Sequence, residues 1–310
     1  MARIYFVNGF LDSGKTSFIK ALLSRDDFKI NGTTLLLECE EGDEEYDTQL
    51  LADNNVVKIT IDNYEDFNPD NIMLIEDNIH PERIIIEFNG MWSRKNLVFP
   101  WYWDEINEVC IIDATTFELY SRNMKSMVAE QVRTAGMTIF NQCDGMTDKL
   151  SVFNRSIKAV NPYSEIFFCD KNGTMSLDFK RALPYDLTRD ELDILDENYA
   201  AFYLDIMDDV DRYLGKKVHL IGMVIKKSDD NSGSCIFGRL IMTCCAEDLS
   251  MFGFICKIPD DTMLKPDDWV SYCGVIEKEY NSKYDLWYPV INVETYEQCE
   301  VPENPWIDVL

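Results

Sequence analysis

Positive charge is scarce in this sequence: 29 Lys and Arg stand against 56 Asp and Glu in 310 residues, a formal net charge of −27. A field of that sign repels phosphate backbones and anionic lipid surfaces, so nucleic acid and membrane surfaces are excluded as first choices of partner. Histidine is nearly absent, with only His80 and His219, and a transition-metal site would have to be built mostly from sulfur and carboxylate. Long apolar runs are missing too. Nothing approaches the roughly 18 apolar residues of a membrane span, and MARIYFVNGF carries no cleavage-site pattern, so a cytoplasmic protein that is not membrane-embedded is expected. Ten cysteines are too few for a disulfide scaffold. In a reducing compartment they are expected as thiols, core residues or metal ligands.

What is present is enough apolar material to fold: 46% hydrophobic and 12% aromatic residues, a composition that keeps a highly charged chain globular. At about 150 residues per domain the length suggests two domains. From the start to residue 172, short β-branched runs alternate with helical patterns; the runs are Ile4–Val7, Thr34–Leu37, Val56–Ile59, Arg83–Ile86, Val109–Ile112, Met137–Phe140 and Glu165–Cys169. Apolar strands separated by helices predict an α/β domain, a mainly parallel sheet with helices on both faces. Residues 173–214 read as an acidic linker and connecting helix, with Phe202, Ile206, Val210 and Tyr213 at helical spacing. Beyond it, in residues 215–310, runs at Val218–Ile225, Ser234–Cys244, Phe252–Ile258, Trp269–Glu277 and Leu286–Val293 predict a small all-β, OB-like barrel.

The first strand is followed by Gly9, Phe10, Leu11, Asp12, Ser13, Gly14, Lys15 and Thr16, which fit G-x-x-x-x-G-K-[ST]. In that P-loop pattern the glycines let backbone N–H groups wrap phosphates, the lysine reaches the terminal phosphates and the threonine hydroxyl joins Mg²⁺. A helix expected from Thr16 to Leu23 supplies the helix start that phosphate binding uses. The expected nucleotide-binding set is Gly9, Asp12, Ser13, Gly14, Lys15, Thr16 and Ser17, with Lys15 also catalytic. Glu87 ends the strand Arg83–Ile86, where a carboxylate can act on Mg²⁺ or on the attacking water, since ligands gather at strand C-termini. Asn141 and Asp144 follow a later strand, and a carboxylate at Asp144 suits the N1–H and N2–H₂ donors of guanine, favouring GTP over ATP. Asp113, followed by Thr115 and Thr116, reads as a helix cap.

Six segments fall in an order that resembles one known family. They are NGFLDSGKTSF, the acidic run EEGDEEYD at Glu40–Asp47, IIIEFNG with Glu87 and Gly90, IIDATTF with Asp113, EQVRTAGMTIFNQCD, and Asn161 with Pro162. Together they resemble the CobW-like metal-associated GTPases, which group with the urease and hydrogenase nickel-insertion GTPases. The resemblance implies a Mg²⁺-dependent GTPase that cycles between GTP and GDP, pairs as a homodimer with its nucleotide, and inserts or carries zinc or another divalent transition metal. It makes Glu40–Asp47 a switch, with Glu41 contacting Mg²⁺ or sensing the nucleotide. Three departures stand out. Asp12 occupies a glycine position where φ is commonly positive, Gln142 replaces a lysine whose stem packs on the base, and the family's CxCC metal motif is absent from KITIDNYEDFNPDN. Cargo ligands in its place would be Cys39, beside Glu38, Glu40 and Glu41, or Cys244 and Cys245; burial as core cysteines is the competing expectation for each.

In the second region, YLGKKVHLIGMVIKK and GRLIMTCCAED resemble the C-terminal domain of bacterial two-subunit permeases over residues 212–258, which implies a membrane permease subunit or a client metalloprotein as partner. Tyr272, Trp287 and Tyr288 invite base stacking, but acidic side chains outnumber basic ones in residues 216–310, so the groove an oligonucleotide needs is lacking. A metal-free, nucleotide-regulated interaction module is the alternative reading, favoured by the missing CxCC and the scarcity of histidine.

Overall fold

The computed structural model describes residues 2–175, 182–227, 233–243, 249–258 and 264–308. The chain divides into two compact units, residues 1–180 and 181–310. The first contains strands β1 (Arg3–Asn8), β2 (Thr34–Glu38), β3 (Val56–Thr60), β4 (Arg83–Glu87), β5 (Ile106–Asp113), β6 (Met137–Asn141) and β7 (Glu165–Phe168). Its helices are α1 (Lys15–Leu23), α2 (Thr48–Asp53), α3 (Pro69–Ile79), α4 (Phe117–Asn123), α5 (Lys125–Val132) and α6 (Thr147–Val160).

The strands form one all-parallel sheet in the order β3-β2-β4-β1-β5-β6-β7. Both faces are covered, which is why β2 and β4 are buried at every position instead of alternating. On one face Phe6, Leu37, Ile84 and Ile86 pack with Ile72 of α3; on the other Val7, Leu36 and Ile85 pack with Ile19 and Leu23 of α1. Even Arg83 is inside, where its guanidinium bonds Thr34 Oγ1 at 2.9 Å and lies 4.1 Å from the centre of the Phe28 ring. The N-terminal domain is thus the expected α/β fold. The order also places the turn after β1 between the C-terminal ends of β4 and β5, beside the point where the chain's path through the sheet changes side.

The second unit holds β8 (Glu191–Asp193), α7 (Asp196–Asp208), β9 (Lys217–Lys227), β10 (Ser234–Met242), β11 (Leu249–Lys257), β12 (Trp269–Asn281), β13 (Leu286–Gln298) and β14 (Trp306–Asp308). The five long strands close into a ring, β9-β10-β11-β13-β12 and back to β9, in which only the β11–β13 pairing is parallel. Phe237, Phe254, Val218, Val224 and Ile276 fill it. Residues 191–214, expected as linker and connecting helix, lie inside this unit. β8 pairs with β9, and the Tyr199 hydroxyl of α7 donates to the Phe252 carbonyl at 3.0 Å. The helix is shorter than expected, ending at Asp208 before a 3₁₀ turn at Val210–Tyr213. Its start is held by Arg239, fully buried, which bonds the Asp196 carboxylate and the Asn304 carbonyl and lies 5.0 Å from the centre of the Trp269 ring.

Phe254 is central to this packing, meeting Phe202 at 5.6 Å and Tyr203 at 5.2 Å between ring centres. Phe254→Ala is expected to destabilise the barrel unit by about 3–5 kcal/mol, measured as a fall in the denaturant midpoint of the full chain.

Candidate functional site

The turn from β1 into α1 is shaped by backbone that most side chains resist. Gly9 has φ 146° and Gly14 has φ 96°, and a Cβ on Gly9 would lie 2.2 Å from the Ile111 carbonyl oxygen. Gly90 is as tightly placed: a Cβ there would come 2.1 Å from the Gly9 carbonyl. Asp12 adopts φ 59°, the conformation expected of the glycine it replaces, and Asp is among the few residues that tolerate it. Asn141, at the end of β6, braces the loop by donating from Nδ2 to the Ser13 carbonyl at 2.6 Å. The Ser13 hydroxyl is buried in the loop without a hydrogen-bond partner, as a donor awaiting a ligand would be.

Lys15 begins α1 with only 3% of its side chain exposed. Its ammonium donates to the Gly9 and Phe10 carbonyls, both at 2.9 Å, and to Glu40 Oε2 at 2.5 Å. The next residue, Thr16, donates its hydroxyl to Glu87 Oε1 at 2.7 Å. The other oxygen of Glu87 accepts from the Tyr46 hydroxyl. Burial pushes the Glu87 carboxyl above its ordinary range, opposed by the hydroxyls of Tyr46 and Thr16 and by Lys15. Burial and the neighbouring Glu87 push the Tyr46 phenol up as well. Further along the acidic run, Glu44 accepts from the Ser17 hydroxyl and from Lys20 Nζ, the latter at 2.7 Å.

These groups border a cavity of about 570 Å³ that runs from Gly14, Lys15 and Thr16 to Asn141, Gln142 and Lys171. Asp144 is exposed and is not among the residues that line the cavity. Its Oδ2 accepts the Lys171 backbone N–H at 2.8 Å, fixing the turn at 170–174 that lines the cavity. Gln142, in the family's lysine position, has φ 57° and also lines it. Asp113 does not cap α4, whose N-cap is Thr116 with no side-chain cap bond; it closes the turn before that helix, accepting from the Thr115 N–H and hydroxyl at 2.7 and 2.6 Å. Asn161 is structural, donating to the Val132 and Ala135 carbonyls at 2.9 Å.

Of the expected metal ligands Thr16 and Glu87 meet, and Glu41 does not join them. Glu41 borders a separate depression of about 330 Å³ with Cys39, Glu40 and Asp62. Cys39 is buried, and burial with Glu87, Glu38 and Glu40 nearby pushes its thiol up, away from the thiolate a metal needs. Cys244 and Cys245 lie outside the described residues. Among the described residues no group of three or more His, Cys, Asp or Glu is arranged to hold a metal ion. In the barrel, Cys235 and Cys256 face each other across β10 and β11 as buried residues. His219 bonds Asp193 and Ser271, at 3.2 and 2.8 Å, on strands already laddered to one another. His80 caps α3 with φ 51°. Tyr46 carries one signal in the sequence, an aromatic residue within an acidic run.

Residues 3–168 match the family model described as CobW/HypB/UreG, nucleotide-binding domain, and residues 172–308 match the DUF1980 C-terminal domain. The UPF0703 protein YcgQ of Bacillus subtilis is 21% identical over 120 residues, 39% of this chain; the chain spans 42% of that protein's length. Among solved structures, the hydrogenase maturation factor HypB of Archaeoglobus fulgidus is similar at 14% identity and a TM-score of 0.41, over 56% of this chain and 84% of its own. A nickel complex of HypB from Helicobacter pylori gives 18% and 0.34, over 55% and 80%. A zinc-bound triple mutant of the YjiA GTPase gives 14% and 0.40, over 98% and 92%. The nucleotide-binding match takes in more than half of the residues, including every strand that positions the phosphate loop, and the chain belongs to the CobW/HypB/UreG family.

Proposed function

We propose that the N-terminal unit binds GTP with Mg²⁺ and hydrolyses it slowly, as a metallochaperone-type protein whose cycle alters its hold on a metal or a partner. The observation that carries this reading is the convergence of Lys15, Thr16 and Glu87 at one end of the 570 Å³ cavity. The backbone N–H groups of the loop and Lys15 would hold the phosphates, and the unpartnered Ser13 hydroxyl faces the same loop. Thr16 Oγ1 and Glu87 Oε1, 2.7 Å apart, are the hard oxygen donors that suit Mg²⁺. When bound, the ion would neutralise charge growing on the transferred phosphoryl group. Asp144 keeps one carboxylate oxygen clear of its bond to Lys171, and guanine recognition would use it.

The cargo would be zinc or another divalent transition metal, taken as a substrate, with Cys39 and the Cys244/Cys245 pair as the residues to test. A metal-free, nucleotide-regulated interaction module is the second reading. It is favoured by the lack of any three-ligand cluster among the described residues. In either case the barrel, which we read as OB-like, would meet the partner, a client metalloprotein or a membrane permease subunit, and the protein would work in the cytoplasm and pair with a second copy in its GTP form.

Three outcomes are expected. Asp144→Asn should weaken GTP binding by about 10- to 100-fold while leaving ATP within a few-fold, the size of a lost charge-assisted hydrogen bond, measured by nucleotide titration; an unchanged preference removes the base assignment. Glu87 has a raised folded pKa, so the folded state keeps its proton to higher pH than the unfolded chain. That contribution to stability is present below the ordinary carboxylate value of about 4.3 and is lost as pH rises through the raised one. Wild type should therefore lose stability relative to Glu87→Gln across that interval, read from denaturation midpoints against pH. Finally, Zn²⁺ titration of the reduced, metal-stripped protein with Mg²⁺ and a GTP analogue, GDP or no nucleotide should show a stoichiometric site that responds to nucleotide; no site in any condition selects the metal-free reading.

A further inference from the structure

The acidic run touches the phosphate loop and its surroundings through three side chains. Glu40 bonds Lys15, Glu44 bonds Ser17 and Lys20, and Tyr46 bonds the same Glu87 that receives Thr16. An ammonium has three N–H donors and no more. All three on Lys15 are taken, two by the Gly9 and Phe10 carbonyls and the third by Glu40. The two carbonyls belong to the loop itself and are fixed by its backbone, whereas Glu40 reaches Lys15 from another segment, 25 residues away. A phosphate can therefore bond Lys15 only in exchange for one of these acceptors, and Glu40 is the one that the loop does not hold in place. The exchange is between like charges: Glu40, with 9% of its side chain exposed, gives Lys15 the anionic oxygen that a phosphate would give it.

We propose that Glu40 is an internal stand-in for the terminal phosphates, an autoinhibitory latch that sets nucleotide affinity and ties release of the acidic run to phosphate arrival. The inference rests on the nucleotide-binding reading above and adds its regulation. Nucleotide binding pays for opening the latch, so the observed dissociation constant is the intrinsic one divided by the fraction of molecules with Lys15 released. Once Glu40 leaves, the run is still tethered by Glu44 on Ser17 and Lys20, by the Glu45 carbonyl on Lys20 at 3.3 Å, and by Tyr46 on Glu87. The run then loses its hold on Lys15 alone.

The test compares wild type, Glu40→Gln, Glu40→Ala and Glu45→Gln in the full chain, using GDP and a non-hydrolysable GTP analogue with Mg²⁺. Glu45 lies in the same run with an exposed side chain, so its substitution removes the same charge without touching Lys15. Glu40→Gln should tighten both nucleotides by on the order of tenfold, and Glu40→Ala should move affinity in the same direction, because the competing population shrinks. Without nucleotide both Glu40 variants should melt earlier than wild type, since Lys15 loses its anionic partner, yet nucleotide should raise their melting temperature by more. Glu45→Gln should leave affinity within about twofold, as a screened surface charge does. Wild type that binds while Glu40→Gln binds equally or more weakly overturns the latch and leaves the nucleotide reading standing. A gain in Glu45→Gln as large as in Glu40→Gln also overturns it, assigning the effect to net charge. Failure of wild type and all variants to bind either nucleotide overturns both.

Discussion

A buried ammonium is the constraint around which the N-terminal unit is arranged. Desolvating a lysine is expensive unless each N–H finds an oxygen, and Lys15 meets that demand with two loop carbonyls and Glu40. The carbonyls are available because the loop turns back over the helix start, which the left-handed backbone at Asp12 and Gly14 allows. The loop in turn sits where it does because Gly90 and Ile111, from the ends of β4 and β5, close on Gly9 to distances that leave no room for a side chain. Glu87 follows from the same placement: the strand that carries it is buried at all five positions, so its carboxylate emerges at the sheet edge beside Thr16 and Tyr46 and is held there by two hydroxyls.

Much of this was legible in the sequence, and the reasons are local. A strand buried on both faces must be apolar at successive positions, and Leu35–Leu37 and Ile84–Ile86 announce themselves that way. The phosphate loop is legible because its glycines answer to backbone geometry rather than to partners far along the chain. The five long barrel strands showed as well, their runs separated by turn residues. What composition hid was the role of residues 191–214. Their many acidic side chains suggest solvent, yet Asp205 is buried, accepting from the Tyr213 hydroxyl at 2.6 Å and Arg212 at 2.7 Å. Such compensation is invisible until the fold brings the partners together. β8 and β14, three residues each, are too short to show a period.

The same limit applies to the acidic run. Its charge alone suits a solvated loop as well as the switch that the resemblance implies; in space, its carboxylates and phenol meet residues 24 to 41 positions away. Metal chemistry was harder still. Cysteine is equally at home as a ligand and as a small core residue, and burial works against the thiolate that a ligand needs. Cys39 and Cys256 both have thiols pushed up by burial, which the spacing of cysteines in a sequence does not disclose.

The ring of the second unit sets an order of events during synthesis. Because β11 pairs with β13 and not with β12, the chain must leave β11, lay β12 beside β9, and return before the gap can close. Closure waits for residues 286–298, near the C-terminal end of the chain. Until those residues leave the ribosome, β11 keeps an unpaired edge and the aromatic interior of the barrel stays open to water. Exposed edges invite association. The parallel sheet of the first unit ends at Phe168, so all of its strands have left the ribosome before the strand that closes the barrel is made.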